Sequence, residues 1–140
     1  MNFYFAKLFE EYKRKNDPAE FNITLYISVF YFFLLFGFYL PVSVVVKKLF
    51  LSGSFSYNQT VLITTTLSVF VIIVFIVYSK YIKKKYIFEL VKKYRGRRMS
   101  RFILYILICL LPLFFLLAGA TVTVLLSGGK ILGSEFKGLF

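Results

Sequence analysis

Between Lys80 and Arg101 the chain places ten of its eighteen basic residues: Lys80, Lys83, Lys84, Lys85, Lys92, Lys93, Arg95, Arg97, Arg98 and Arg101. A single acid, Glu89, stands among them. Ammonium and guanidinium groups at this density bind phosphate oxygens, which leaves two ligand chemistries, a nucleic-acid backbone or anionic lipid headgroups. The flanks decide between them. Neither residues 49–79 nor residues 102–129 contain a charged side chain. Each run is longer than the ~20 apolar residues a helix needs to cross a hydrocarbon core. Basic segments beside such spans set topology and meet lipid phosphates. The partners expected are therefore anionic membrane lipids and other membrane subunits, and nucleic acid is set aside despite the net charge of +12.

Little else in the chain carries reactive chemistry. Histidine is absent, which removes the side chain most used as general base, metal ligand and haem ligand. The six acids are Glu10, Glu11, Asp17, Glu20, Glu89 and Glu135, and no two form a pair spaced for acid–base catalysis. No Asp, Glu, Lys or Arg falls within the apolar stretches of the expected spans, 21–46, 60–79 and 102–126, where proton relays, ion paths and voltage sensors need one. Cys109 sits alone in an apolar run and reads as a small buried hydrophobe. Ser127-Gly128-Gly129-Lys130 lacks the spacing of a phosphate loop. The Asn-X-Thr triplets at Asn22 and Asn58 lie against the membrane. Tyr26, Tyr31, Tyr39, Tyr57, Tyr78, Tyr81 and Tyr105 fall mostly at span ends, as an aromatic belt does. No catalytic residue, metal or cofactor is expected, and the chain does not read as an enzyme.

The elements that position the basic run follow from periodicity and punctuation. Residues 1–17 form an amphipathic segment, with Phe5, Leu8, Phe9 and Tyr12 on one helical stripe. It is too short and too charged to span, so it should lie on the membrane surface or against a partner. Asp17-Pro18-Ala19-Glu20 is a helix start, with a cap residue, proline in the first turn and an acid three residues on. The first span is 18–48, kinked at Pro41, with Gly37 one turn earlier allowing close approach. Residues 49–59 form an outer loop turning at Gly53. The second span is 60–79, where Thr60, Thr64 and Ser68 share one face and predict a helix–helix interface.

The basic inner segment, 80–101, is partly helical. Ile82, Tyr86, Ile87, Leu90, Val91 and Tyr94 follow a helical spacing, so the second span is expected to continue as a basic extension to about Arg95 and to end at Gly96. The third span, 102–126, has Ser100 placed to cap it, Pro112 as a kink and Ala118-Gly119-Ala120 as a small packing patch. Residues 127–140 form a flexible, glycine-rich outer tail. The fold class expected is an all-α integral membrane protein with three transmembrane helices, a short interfacial N-terminal helix and a basic helical extension of span two.

Fourteen of the eighteen basic residues fall on one side of this arrangement and four on the other. Lys and Arg collect on the cytoplasmic or matrix side. The N-terminus and the 80–101 segment are therefore placed inside and the C-terminus outside, in a bacterial or mitochondrial inner membrane. The first apolar run is too long for a cleaved signal sequence and acts as an anchor. The function expected is a structural or accessory subunit of a larger membrane complex, with a respiratory or other energy-transducing assembly favoured. The alternatives are a self-assembling, holin-like pore, for which homo-oligomers would form, and a membrane-bound immunity or regulatory protein. Single cysteines at Ser54 and Gly96 test the topology: impermeant reagent added outside should modify Ser54→Cys and spare Gly96→Cys, and the reverse would invert the orientation.

Overall fold

The computed structural model describes residues 1–50, 59–97, 99–131 and 134–138, with backbone alone at 47–50, 59, 62, 129–131 and 134–136. Arg98 and the turn expected at Gly53 lie outside the described residues. The chain order is α1 (Asn2–Arg14), α2 (Ala19–Phe50), α3 (Gln59–Val77), a π-helical turn (Tyr78–Lys83), α4 (Tyr86–Lys93), α5 (Arg101–Ser127) and a hairpin of β1 (Gly129–Ile131) with β2 (Ser134–Phe136). All the long elements are helical. Three stretches, Ala19–Val46, Ile63–Lys83 and Arg101–Ser127, are long and apolar enough to cross a membrane.

α2 is the central element. It makes its largest interface with α5 and a smaller one with α3, while α3 and α5 form no comparable interface with each other. The α2–α5 crossing is glycine against glycine. A Cβ on Gly119 would lie 2.5 Å from the Cα of Gly37, and one on Gly37 would overlap the carbonyl oxygen of Phe115. No real side chain tolerates such distances, so both positions require the absence of a Cβ. Pro41 has no N–H to give the carbonyl of Gly37 one turn back. That freed carbonyl points at Gly119, where a weak Cα–H donor can approach it. Helices α2 and α5 run on through Pro41 and Pro112. Phe30 of α2 adds an edge-to-face contact with Phe115 of α5, ring centroids 5.7 Å apart.

Three expectations from the sequence are corrected here. The amphipathic segment does not lie free on a surface: α1 packs on α2, α4 and α5 of its own chain, and Phe5, Leu8 and Phe9 are buried there. The second span does not run on unbroken to Arg95. The helix loosens into the π turn, and Lys85 takes a left-handed backbone (φ +55°) before α4 begins. The break has a clear gain, because it folds Ile87 and Leu90 back among the buried residues packed with α1. A straight helix would have carried them away from that core. Finally, the tail is not loose throughout. Gly128 (φ +80°) stops α5, and β1 then pairs antiparallel with β2, Lys130 opposite Glu135.

Two further boundaries match the sequence punctuation. Helix α2 begins at Ala19, directly after Pro18, and Gly96 has the left-handed backbone (φ +87°) of a glycine that follows a helix end. Ser100 occupies the cap position of α5 without a side-chain hydrogen bond to the helix.

The glycine crossing generates a direct test. Gly119→Val should destabilise the fold by about 3 kcal/mol, the upper part of the overpacking range, whereas Ala118→Val, on an exposed position, should be tolerated. Thermal unfolding in mild detergent compares them, and equal midpoints would mean that α2 and α5 do not cross at this glycine.

Candidate functional site

The basic run sits on one end of the molecule, over a core made largely of aromatic rings. Phe5 of α1 is 1% exposed. Its ring meets Tyr26 and Phe30 of α2 and Tyr81 of the π turn edge-to-face, with centroids 6.4, 5.9 and 6.2 Å away. Phe9 packs on Phe88 of α4 at 5.4 Å, and Phe3 packs on Tyr94 at 5.4 Å. Edge-to-face pairs such as these contribute about 0.5–1.5 kcal/mol each beyond the area they bury.

Polar handles on the same rings tie distant segments together. Tyr4 donates its phenol proton to the Tyr26 oxygen (2.9 Å), and the Tyr31 and Tyr81 hydroxyls lie 3.3 Å apart. Asn2 Nδ2 donates to the Tyr86 oxygen at 3.1 Å. Glu11, buried in the α1 interface, accepts from the Tyr105 hydroxyl at 3.1 Å and is paired with Arg14. Lys7 pairs with Glu10 at 2.6 Å. The acids of α1 are thus compensated by their own helix, which leaves the field of this end to the basic segment.

The cations stand outside that core. Lys80, Lys83, Lys84, Lys85, Lys92, Lys93, Arg95, Arg97 and Arg101 are all exposed. Several are steadied by ring faces. Lys80 Nζ lies 5.7 Å from the Tyr81 centroid, Lys93 Nζ and Arg97 Cζ each lie 5.8 Å from the Tyr94 centroid, and Lys15 Nζ lies 4.9 Å from that of Tyr105. The result is a positively charged end with apolar surface directly beneath it, since Phe75, Ile76, Phe102 and Ile103 next to it are exposed.

Three recesses open on or near this end. One of about 590 Å³ lies where α3, the π turn and α4 meet, with Lys80, Lys84 and Glu89 on its wall. Another of about 340 Å³ has mixed charge, between Glu10 and Arg14 of α1 and Arg97 and Arg101, the latter the first residue of α5. The third, of about 520 Å³, is a mainly apolar groove between α2 and α5 that includes Cys109 and Pro112. Among the described residues, no three His, Cys, Asp or Glu side chains gather as a metal-ligand group.

The packing residues read from the sequence divide into two sets. Gly37 and Gly119 are brought together, with Ala120 half-buried and Ala118 exposed beside them. Thr60, Thr64 and Ser68, in contrast, are exposed. Thr64 and Ser68 donate their hydroxyl protons to the carbonyls of Thr60 and Thr64, both at 2.8 Å. Within the chain, α3 instead presents Phe70, Ile73 and Val77: Phe70 meets Phe32 of α2 edge-to-face at 5.4 Å, and the other two are buried. The pairings the sequence did not reveal are Asn2 with Tyr86, Tyr4 with Tyr26 and Glu11 with Tyr105, because the partners lie 22 to 94 positions apart. No protein-family model, curated protein or solved structure matches the chain.

Burial raises the pKa of Tyr4 well above its ordinary value, helped by the hydrogen bond with Tyr26; burial also raises that of Tyr12. An unfolded tyrosine ionises near pH ~10. Below that pH neither state loses the proton and the stabilisation is complete. Above it the unfolded chain ionises first, so stability falls as pH rises towards the folded pKa. Tyr4→Phe should cost about 1 kcal/mol at neutral pH, the worth of one hydrogen bond, and should make the alkaline decline shallower. Unfolding midpoints measured at pH 8, 10 and 11 check both effects, and an unchanged alkaline slope would mean that Tyr4 is not buried in the fold.

Proposed function

We propose that this chain is a non-catalytic, three-span accessory subunit of a larger membrane assembly, held on anionic lipid by its basic end. The observation that carries the reading is the contrast between its two parts. The basic end is consolidated around Phe5, with its polar handles paired within the chain. The helical part is an open fork, in which α3 packs on α2 while its Thr60, Thr64 and Ser68 face looks outward. Small hydroxyl side chains on an outward face let a second helix approach closely. Thr64 and Ser68 give their protons to their own helix, which suits packing against protein better than lining a water-filled pore.

In this reading the three long helices cross an inner membrane, bacterial or mitochondrial. The N-terminus and the basic end lie on the cytoplasmic or matrix side, as the Lys and Arg bias requires. An energy-transducing complex is the favoured home, and that preference rests on how commonly such complexes include small multi-span subunits rather than on any residue. The second reading, a self-assembling pore, draws on the same outward hydroxyl row.

One experiment separates the two. The tagged chain, extracted in mild detergent, is run on a native gel and its companions are identified by mass spectrometry. Co-migration with other membrane subunits is the expected outcome and would name the process. A lone homo-oligomer that makes liposomes leaky, with leakage altered by Thr64→Val and Ser68→Ala together, would replace the subunit reading with the pore.

A further inference from the structure

The recess at the junction of α3, the π turn and α4 changes character from one end to the other. Its span-side wall is Phe75 and Ile76, which are 73% and 56% exposed. Its other wall carries Lys80, Lys84 and Ser79, with Tyr86 and Glu89 of α4 opposite. A π turn closes hydrogen bonds five residues apart rather than four, and such turns often occur at functional sites. Lys80 and Lys84, four residues apart, stand on the wall of one cleft, and the chain bends directly after them. Lys84 N–H donates to the Ser79 carbonyl (3.2 Å) and Lys85 N–H to that of Ile82 (2.8 Å), which holds the left-handed backbone at Lys85. An L-residue adopts that conformation only where its surroundings enforce it.

The far wall is also built in advance. Tyr86 is fixed by the hydrogen bond from Asn2 and by an edge-to-face contact with Tyr81 at 5.5 Å. Since α4 begins at Tyr86, the positive end of its dipole lies at the cleft. Two lysines and one glutamate leave one net positive charge on the lining.

We propose that this cleft seats one anionic glycerophospholipid, its phosphodiester between Lys80 and Lys84, one acyl chain over Phe75 and Ile76, and a headgroup hydroxyl donating to Glu89. The charge balances, because a phosphodiester carries one negative charge. The apolar wall selects lipid over a soluble phosphate or an acidic peptide, neither of which would cover Phe75. Lysine stems can lie along that wall while their ammonium groups reach the phosphate. The inference rests on the reading that the three long helices cross a bilayer, and it narrows general headgroup contact to a single stoichiometric site.

The test is native mass spectrometry of the full chain in mild detergent with added phosphatidylglycerol or phosphatidylcholine. One phosphatidylglycerol should be retained under activation that strips phosphatidylcholine. The Lys80→Gln/Lys84→Gln variant should lose that affinity by roughly thirtyfold, from about 1 kcal/mol per lysine near an anionic surface. Lys92→Gln/Lys93→Gln, exposed but away from the cleft, should retain it, and Lys80→Arg/Lys84→Arg should restore most of it. Equal losses in both glutamine variants would overturn the site in favour of diffuse attraction. Displacement by glycerophosphate at the lipid's concentration would replace the lipid with a soluble phosphate ligand. Failure of the wild-type chain to retain or reconstitute with either lipid would instead overturn the membrane reading beneath it.

Discussion

The burial of one ring, Phe5, organises the charged end of this molecule. It sits on a thirteen-residue helix that, by itself, would be too short to be stable in water. Docked, the ring touches two residues of α2 and one of the π turn, so burying it draws three separate stretches of chain together. The tyrosines around it then face a second constraint, because a phenol removed from water must find a partner. Tyr26 finds Tyr4, and Tyr31 finds Tyr81. Hydrophobic burial supplies the attraction, and these hydrogen bonds fix the register in which α1 can dock.

That docking also decides where the charge goes. With Ile87 and Leu90 turned inward, Lys92 and Lys93 farther along α4 are left exposed, where hydration is kept. The alternative, a straight basic helix, would have satisfied the local propensity of the Lys83-Lys84-Lys85 run. It would also have left two apolar side chains without a core. Burying two such side chains gains several kcal/mol, more than the cost of one left-handed lysine, about 1–3 kcal/mol. The break at Lys85 therefore follows from tertiary packing, and its by-product is the cleft beside it.

What could be read from the chain itself was what depends on near neighbours. Long uncharged runs reveal spans because crossing a bilayer is a matter of length and polarity along one line. Asp17-Pro18 marks the start of α2 because its effect is confined to one helical turn. The stripe on α1 was legible for the same reason, but what covers it was not, since Asn2 meets Tyr86 and Glu11 meets Tyr105 from opposite ends of the sequence. Gly37 and Gly119 each read as points of close approach, yet nothing in either neighbourhood says that they approach each other. The Thr60, Thr64 and Ser68 row shows the same limit from the other side. Periodicity defines a face but not what lies against it, and α3 turns Phe70, Ile73 and Val77 to α2 instead. The lysine break escaped because no glycine or proline marks it.

The unequal fastening of the three long helices has a further consequence. Helix α5 is held to α2 at the glycine crossing and by Phe30 against Phe115, and to α1 through Tyr105 and Glu11. Helix α3 is held to α2 through Phe70, Ile73, Val77 and, past its end, Tyr81, all towards the basic end. Its other half carries exposed Val61, Ile63 and Leu67 beside the hydroxyl row. In a bilayer, lipid tails are as apolar as those side chains, so no hydrophobic force closes the fork. Close packing or a hydrogen bond from another helix can do so, and small hydroxyl residues suit both. On the proposed subunit reading, the charged end is assembled in advance and the angle of α3 is left to be set by a partner helix.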